Sequence, residues 1–329
     1  MTLKELQERQ SWSLEQKIDH SLGTIEAFVS RMGGVDKAYV SFSGGKDSTV
    51  LFHLVRILYP DILGVFCNTG NEYPDIIRFV KKMQADGANI KIIRPKFSPR
   101  QVWAKYGFPL VSKEQSQYIH IVRSNPNCKT AQLRISKDTQ FGISEKWKYL
   151  VSEPYSVHNI CCAKLKKEPM HRFCKETGRY PIIGVMASES QRREKDYLKN
   201  GGCNYFNGKS PKSQPISIWL EQDIWDYISK CNLPIADIYH KGATRTGCMG
   251  CGFGAQFADD TRFRTLLTHY PKCYEMVMNY TNNGVTFREA LRKVLAVNRL
   301  YLPDEEPRNL FTDIELIPNQ PTEMIKANE

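Results

Sequence analysis

The chain has 329 residues, 41% of them hydrophobic and 25% charged, enough apolar material for a substantial core in one large or two smaller domains. No apolar run approaches the roughly 20 residues that span a bilayer, and the polar, mixed-charge stretch Met1–Gln7 does not read as a signal peptide, so a cytoplasmic protein without a membrane partner is expected. Lys and Arg outnumber Asp and Glu by 46 to 35, a net +11 that suits a polyanionic partner or serves solubility, and ten cysteines in such a chain point to metal or redox chemistry rather than disulfides.

Leu14, Ile18, Leu22, Ile25 and Phe28 recur at helical spacing and predict a helix ahead of the core. Strands and helices then alternate. Ala38–Phe42 reads as a strand, Ser48–Leu58 as a helix, Leu63–Phe66 as a strand, Tyr73–Gln84 as a helix opened by Pro74, and Ile90–Ile93 as a strand. This rhythm predicts an α/β fold with a doubly wound, mostly parallel sheet, whose ligands lie beyond the carboxyl ends of the strands. Residues 109–160 lack strand rhythm and read as a helical insertion, with short helices over Gln115–Val122 and Lys146–Val151.

Further on, Cys161–Thr177 reads as a helix stopped by Gly178, Tyr180–Val185 as a strand, and Leu220–Ser229 as a helix. Trp219, Ile224, Trp225 and Ile228 give that last helix a core face. Thr286 and Glu289 have capping-box spacing and open a helix through Val297. The tail after Pro303, with Asp304, Glu305, Glu306, Asp313 and Glu315, reads as irregular. The expected division is an N-terminal helical segment 1–36, a nucleotide-binding domain 37–235 and a C-terminal cysteine-containing helical segment 236–329. Basic residues crowd two stretches: Lys164, Lys166, Lys167, Arg172, Lys175 and Arg179, then Arg192, Arg193, Lys195, Lys199, Lys209 and Lys212.

The densest chemistry follows the first core strand, at Ser43, Gly44, Gly45, Lys46, Asp47 and Ser48. Adjacent glycines let amide N–H groups approach an anion, and the helix that opens next adds free donors and a partial positive charge. Together they form a phosphate cradle. It is not the Walker loop, whose glycines are separated. Asn68, Thr69, Gly70 and Asn71 end the second strand in a polar turn that could face the same nucleotide.

Cys161 and Cys162 are adjacent, and Cys248 and Cys251 form a CxxC in a glycine-rich turn. Such a turn aims two thiolates at one centre and leaves backbone N–H groups free for the sulfurs. Four thiolates suit a [4Fe–4S] cluster or a zinc site, and spacing alone does not choose between them.

Ser43–Ser48 resembles the SGGxDS loop of the ATP-pyrophosphatase (PP-loop) superfamily, whose members hold the pyrophosphate of ATP or the terminal group of an adenylate. Over about residues 37–255 the chain resembles the phosphoadenosine-phosphosulfate reductase family within it. Cys161-Cys162-Ala163-Lys164-Leu165-Lys166-Lys167-Glu168-Pro169 is similar to that family's CCxxRKxxP helix entry, with Leu165 in place of Arg. The resemblance implies a [4Fe–4S] cluster on Cys161, Cys162, Cys248 and Cys251, with Lys166 beside it. Gly184, Glu189, Ser190 and Arg193 match a second family segment, in which Met186 replaces an expected Arg.

Sulfonucleotide reductases attack sulfate with a cysteine in a C-terminal ECGxH tail. This chain has no cysteine after Cys273. It resembles more closely the relatives associated with sulfur modification of nucleic acids. That resemblance implies ATP, Mg²⁺, a nucleic-acid acceptor and a sulfur-donor or reductant protein, and it leaves room for a homo-oligomer. Ser43 to Ser48, Thr69, Gly184, Glu189, Arg193 and Arg245 would line the nucleotide site, and Lys46, Asp47, Lys166 and Arg193 would act in catalysis. Cys203 and Cys273 are candidate sulfur carriers, while Cys67, Cys128, Cys174 and Cys231 read as core cysteines. The rival readings are a sulfonucleotide reductase with a relocated nucleophile and a zinc-stapled, non-enzymatic nucleic-acid-binding module.

Overall fold

Local signals set the first elements. Thr2 and Ser13 each form a capping box with the residue three positions on, and so open α1 (Leu3–Gln10) and α2 (Leu14–Met32). The computed structural model describes residues 1–136, 141–206 and 210–307. Lys209, Asp313 and Glu315 of the charge-rich stretches lie outside the described residues.

β1 (Ala38–Phe42), α3 (Lys46–Leu58), β2 (Gly64–Cys67), α4 (Pro74–Ala85) and β3 (Ile90–Ile93) follow in the alternation that the sequence predicts. The chain then leaves the sheet for α5 (Pro99–Tyr106), β4 (Leu110–Val111), α6 (Lys113–Ser124) and α7 (Lys129–Ile135). Lys146–Val151, expected as a short helix, lies in a 3₁₀-helical segment, Glu145–Val151. The helix expected over Cys161–Thr177 is not uniform: a π-helical turn, Ala163–Lys167, precedes α8 (Glu168–Thr177).

β5 (Tyr180–Ile183) returns to the sheet and ends two residues sooner than expected. α9 (Gln191–Asn200), β6 (Asn204–Tyr205), β7 (Lys212–Ser213) and α10 (Glu221–Lys230) come next. The C-terminal part holds β8 (Gly252–Phe253), α11 (Arg262–His269), α12 (Pro271–Met278), β9 (Thr281–Asn282), β10 (Val285–Thr286) and α13 (Phe287–Ala296).

The main sheet has the order β3-β2-β1-β5-β7-β6, parallel except for the β6–β7 pair. The chain moves outward from β1 through β2 to β3 and then crosses to β5 on the other side of β1. The carboxyl end of β1 is therefore a topological switch point, where open α/β sheets bind ligands. The two faces of the sheet are covered unequally. On one, Phe42 meets Phe52 of α3 and Phe79 of α4, with ring centroids 5.2 and 6.4 Å apart. This is the main core, which Ile25 and Phe28 of α2 and Ile224 of α10 extend. On the other, Tyr39 and Val65 pack against Phe173 of α8 in a small separate cluster.

Beyond the carboxyl edge, the expected insertion and the C-terminal segment build one helical layer. β4 pairs in parallel with β8, Leu110 opposite Gly252. Trp103 of α5 is fully buried among Phe108, Tyr280 and Phe287. Asn282 pins the layer: its amide donates to the carbonyls of Trp103 and Ala104, both at 2.9 Å, and its oxygen accepts from the Ser156 N–H at 2.7 Å. A buried side-chain amide satisfied in this way stabilises where an unpaired one would cost about 1–3 kcal/mol. Among the described residues no helix is long and apolar enough to cross a membrane.

Candidate functional site

Ser43 leaves β1 with its N–H donating to the Ser48 hydroxyl at 3.1 Å, and the two hydroxyls lie 2.9 Å apart. Ser48 and Thr49 bond back to the Gly45 carbonyl. The hydroxyl residues thus close the loop upon itself and hold its amides in place at the start of α3. Gly44 sits at φ +73°, in the left-handed region that glycine tolerates. Gly45 is the N-cap and contributes no side-chain cap. A Cβ there would stand 2.5 Å from the Thr246 hydroxyl, so the second glycine makes room for another loop.

That other loop is the CxxC turn, Arg245–Cys251, and it reaches the phosphate loop, the turn after β2 and Glu189. Thr246 shares a hydrogen bond with the Tyr239 hydroxyl, which accepts from the Lys46 N–H at 2.8 Å. Met249 N–H donates to the Asn71 carbonyl at 2.8 Å, and Gly250 N–H to the Asn71 side chain at 3.3 Å. The Arg245 guanidinium lies 3.7 Å from Glu189, which also pairs with Arg193 and accepts from the Met186 N–H. The turn is anchored from behind: a Cβ on Gly250 would collide with Val277 and Trp103, and one on Gly252 with the Pro109 carbonyl.

The expected nucleotide residues cluster at the switch point. Gly184 abuts the first turn of α3, where a Cβ would stand 3.2 Å from the Asp47 carbonyl oxygen. Thr69 is buried and bonds through N–H and hydroxyl to Glu72, at 2.9 and 2.7 Å. The buried ammonium of Lys46 lies 3.2 Å from Asp47 and 3.4 Å from Glu221. Asp47 Oδ1 is buried, and its one charged neighbour at ion-pair distance among the described residues is that Lys46 ammonium, held without hydrogen-bond geometry. Burial, then the neighbouring Arg245, lowers the pKa of Arg193, and Asp47 opposes both.

Cys161, Cys162, Cys248 and Cys251 lie within electrostatic reach of one another. Cys161 and Cys162 share a hydrogen bond, which lowers the pKa of Cys162 and raises that of Cys161. Lys113, Lys166 and Lys167 further favour the Cys162 thiolate. Cys248 and Cys251 lie close enough to Cys161 and Cys162 to raise each other's pKa by charge. Burial pushes the Cys248 thiol up to about 12, against Lys166. Burial also raises Cys251, against Arg262 and the Phe253 N–H. Lys166 is in turn raised, first by the Cys248 thiolate.

The donor set is chemically suited to an iron–sulfur group: four soft thiolates, ringed by cations that offset their charge. Among the described residues no three His, Cys, Asp or Glu side chains are gathered tightly enough for a single metal ion. The π-helical turn directly after Cys162 places Lys166 on the cysteine side, an irregularity of the kind that marks functional sites.

A cavity of about 120 Å³ lies between the phosphate loop and the CxxC turn; Ser43, Cys67, Glu72, Lys166, Thr246 and Gly247 are among its lining residues, and Cys161, Cys162, Cys248 and Cys251 are not. Sequence reasoning missed Tyr239, Glu72 and Thr246, and set Cys67 aside as core. Cys67 ends β2, donates to the Leu165 carbonyl at 3.3 Å, and is pushed up to about 11 by burial and Glu72. Asn71 lay within the turn expected to face the nucleotide, whereas no local signal marks Tyr239. Among the described cysteines Cys67 alone lines this cavity, and neither Cys203 nor Cys273 does. Cys203 is buried, its sulfur 3.8 Å from Nε2 of His20.

Fold and site together define an α/β protein of the PP-loop kind. The phosphoadenosine phosphosulfate reductase domain matches residues 37–134 and 127–252, well over half the chain, and the protein belongs to that family. An uncharacterized protein of Methanocaldococcus jannaschii is 29% identical over 215 residues, 64% of this chain and 40% of that one. The adenosine 5'-phosphosulfate reductase of Lysinibacillus sphaericus is 31% identical over 150 residues, 46% of this chain and 58% of that one. The chain thus spans about half the length of these curated relatives. Among solved structures, the phosphoadenylyl-sulfate reductase of Candida auris in a phosphate complex aligns over 72% of this chain and 96% of its own, at 18% identity and a TM-score of 0.42.

Proposed function

We propose that this protein uses ATP to activate an oxygen of a nucleic acid by adenylation and then replaces that oxygen with sulfur. The observation that supports this reading is the shared cavity, in which the phosphate loop and the CxxC turn meet at Ser43, Lys166 and Thr246. Ser43 to Ser48 would hold the phosphates of ATP, with Asp47 on Mg²⁺. Lys166, with Arg193 and Arg245 across the loop, would offset charge on the departing pyrophosphate. Oxygen is a poor leaving group until esterified to AMP. Once adenylated, it departs as AMP when the terminal sulfur of a donor persulfide attacks; a thiol then cleaves the remaining S–S bond, leaving the sulfur on the acceptor and a disulfide on the donor side that a reductant protein returns to thiols. Cys161, Cys162, Cys248 and Cys251 would carry the [4Fe–4S] cluster, which when bound supplies a site for sulfur or electron delivery.

The names of the relatives favour a second reading, reduction of adenosine 5'-phosphosulfate with release of sulfite. One set of assays separates the two. Anaerobically purified protein should contain iron and acid-labile sulfide, and it should release pyrophosphate from ATP when single-stranded DNA and a sulfide source are present. Sulfite release from adenosine 5'-phosphosulfate with a thiol reductant, without pyrophosphate formation from ATP, would establish the reductase instead. Zinc without iron, and neither product, would leave the zinc-stapled binding module.

A further inference from the structure

Among the described residues, the second face of the sheet is only half covered. Parallel sheets are ordinarily covered on both faces. Here α8 covers Tyr39 and Val65 through Phe173. Tyr39 pairs with Pro181 and Ser41 with Ile183, so the same face continues onto β5. Beside α8 it opens into a cavity of about 850 Å³ that reaches Lys212 on β7. Its floor is Tyr39, Ser41, Pro181 and Ile183, and it shares Ser41, Lys166 and Met170 with the small cavity at the phosphate loop.

Its charge is one-sided. Lys166, Lys167, His171, Lys175, Arg179 and Lys212 line it, and among the described residues no Asp or Glu does. The cations come from separate elements: the π-helical turn, α8, the link to β5, and β7. Arg179 is fixed by its bond to the Ala38 carbonyl at 3.1 Å, and the Lys212 ammonium stands 4.8 Å over the Tyr205 ring. Lys167 and Lys175 are exposed and have no carboxylate partner among the described residues. A largely apolar floor walled by cations, of which Arg179 also pairs with Asp36 at 3.9 Å while Lys167 and Lys175 have no carboxylate partner among the described residues, matches a nucleic-acid strand, which offers phosphates to the cations and base faces to the floor. A second copy of the chain would bring the same cations to a symmetric contact, where they repel.

We propose that this groove holds a single nucleic-acid strand and leads the reacting nucleotide past Lys166 to the shared cavity. The inference rests on the sulfur-transfer reading for the reaction, but the groove is tested separately. Binding of a fluorescent single-stranded DNA is measured against salt for the wild-type chain, for Lys175→Glu/Lys212→Glu, and for the milder Lys175→Gln/Lys212→Gln. The charge-reversed pair should bind on the order of 10–100-fold more weakly at low salt, and the Gln pair should lower the log–log salt slope by about 0.7 for each cation removed. Melting temperature and ATP binding should stay as in the wild type, since neither lysine belongs to the phosphate loop.

Unchanged DNA affinity in both folded pairs would overturn the groove. So would a wild-type dimer in sedimentation that either pair dissociates, which would assign the face to a second copy. A groove that binds DNA in a protein forming no pyrophosphate from ATP would keep this inference and refute the sulfur-transfer reading.

Discussion

Gly45→Ala is expected to lower ATP-dependent pyrophosphate release by about 100-fold, the cost of a misplacement near 1 Å at a reacting group. The backbone at this position does not forbid a side chain, since Gly45 is an ordinary extended N-cap at φ −84°. The obstacle is a neighbour. The new Cβ would stand 2.5 Å from the Thr246 hydroxyl, 3.3 Å from the Tyr239 hydroxyl and 3.5 Å from the Ser43 hydroxyl. Either the phosphate loop or the CxxC turn must withdraw, and Tyr239, bonded to both Lys46 N–H and Thr246, carries the displacement across. The account therefore expects Thr246→Ala to restore much of the activity of Gly45→Ala by removing the closest obstacle. Steady-state assays of the two single variants and the double variant test this. A nearly active Gly45→Ala, or a double variant no better than the single, would show that the loops do not press on one another.

The second large effect concerns stability. Asp75, in the first turn of α4, is fully buried, and its carboxylate gathers the Tyr270 hydroxyl, the Lys241 ammonium at 2.8 Å and the Arg78 guanidinium. These partners tie the first core helices to the link before the CxxC turn and to the start of α12. Asp75→Ala removes the carboxylate and leaves the Tyr270 hydroxyl and the partly buried Lys241 without it. Breaking a buried ionic network from one side costs about 3–5 kcal/mol. Urea denaturation should show a loss of that size, with the slope of the transition unchanged. A loss below about 1 kcal/mol would mean that water or other groups replace the carboxylate freely.

What the sequence made legible was local. The phosphate loop could be read because strand, glycines and helix start are contiguous, and each imposes its own backbone demand. The cysteines could be read because the chemistry of paired thiols narrows their use. The missed elements share a physical cause. α9 buries only Tyr197, so it carries no apolar stripe, and α5, α7, α11 and α12 are eight residues or fewer, barely two turns in which a period can appear. β6 and β7 are two residues each and exist through their neighbours. The contacts that complete the site, from Tyr239 and Thr246 to the phosphate loop and from Asn71 to Met249, join residues far apart in the chain. Cys67 was misjudged for the same reason. Alone it is a thiol in an apolar run, and only the folded chain places it on the cavity beside Lys166.

The central claim is that the phosphate loop and the cysteine-bearing turn face one another across a single cavity. Because a Gly45 Cβ would almost touch the Thr246 side chain, Gly45→Cys combined with Thr246→Cys falls within the range that a disulfide spans. Mild oxidation of this double variant followed by peptide mass spectrometry reads the contact directly. The account expects a 45–246 linkage in the major product, absent from either single variant. Peptides containing position 45 that stay unlinked after full oxidation would contradict it.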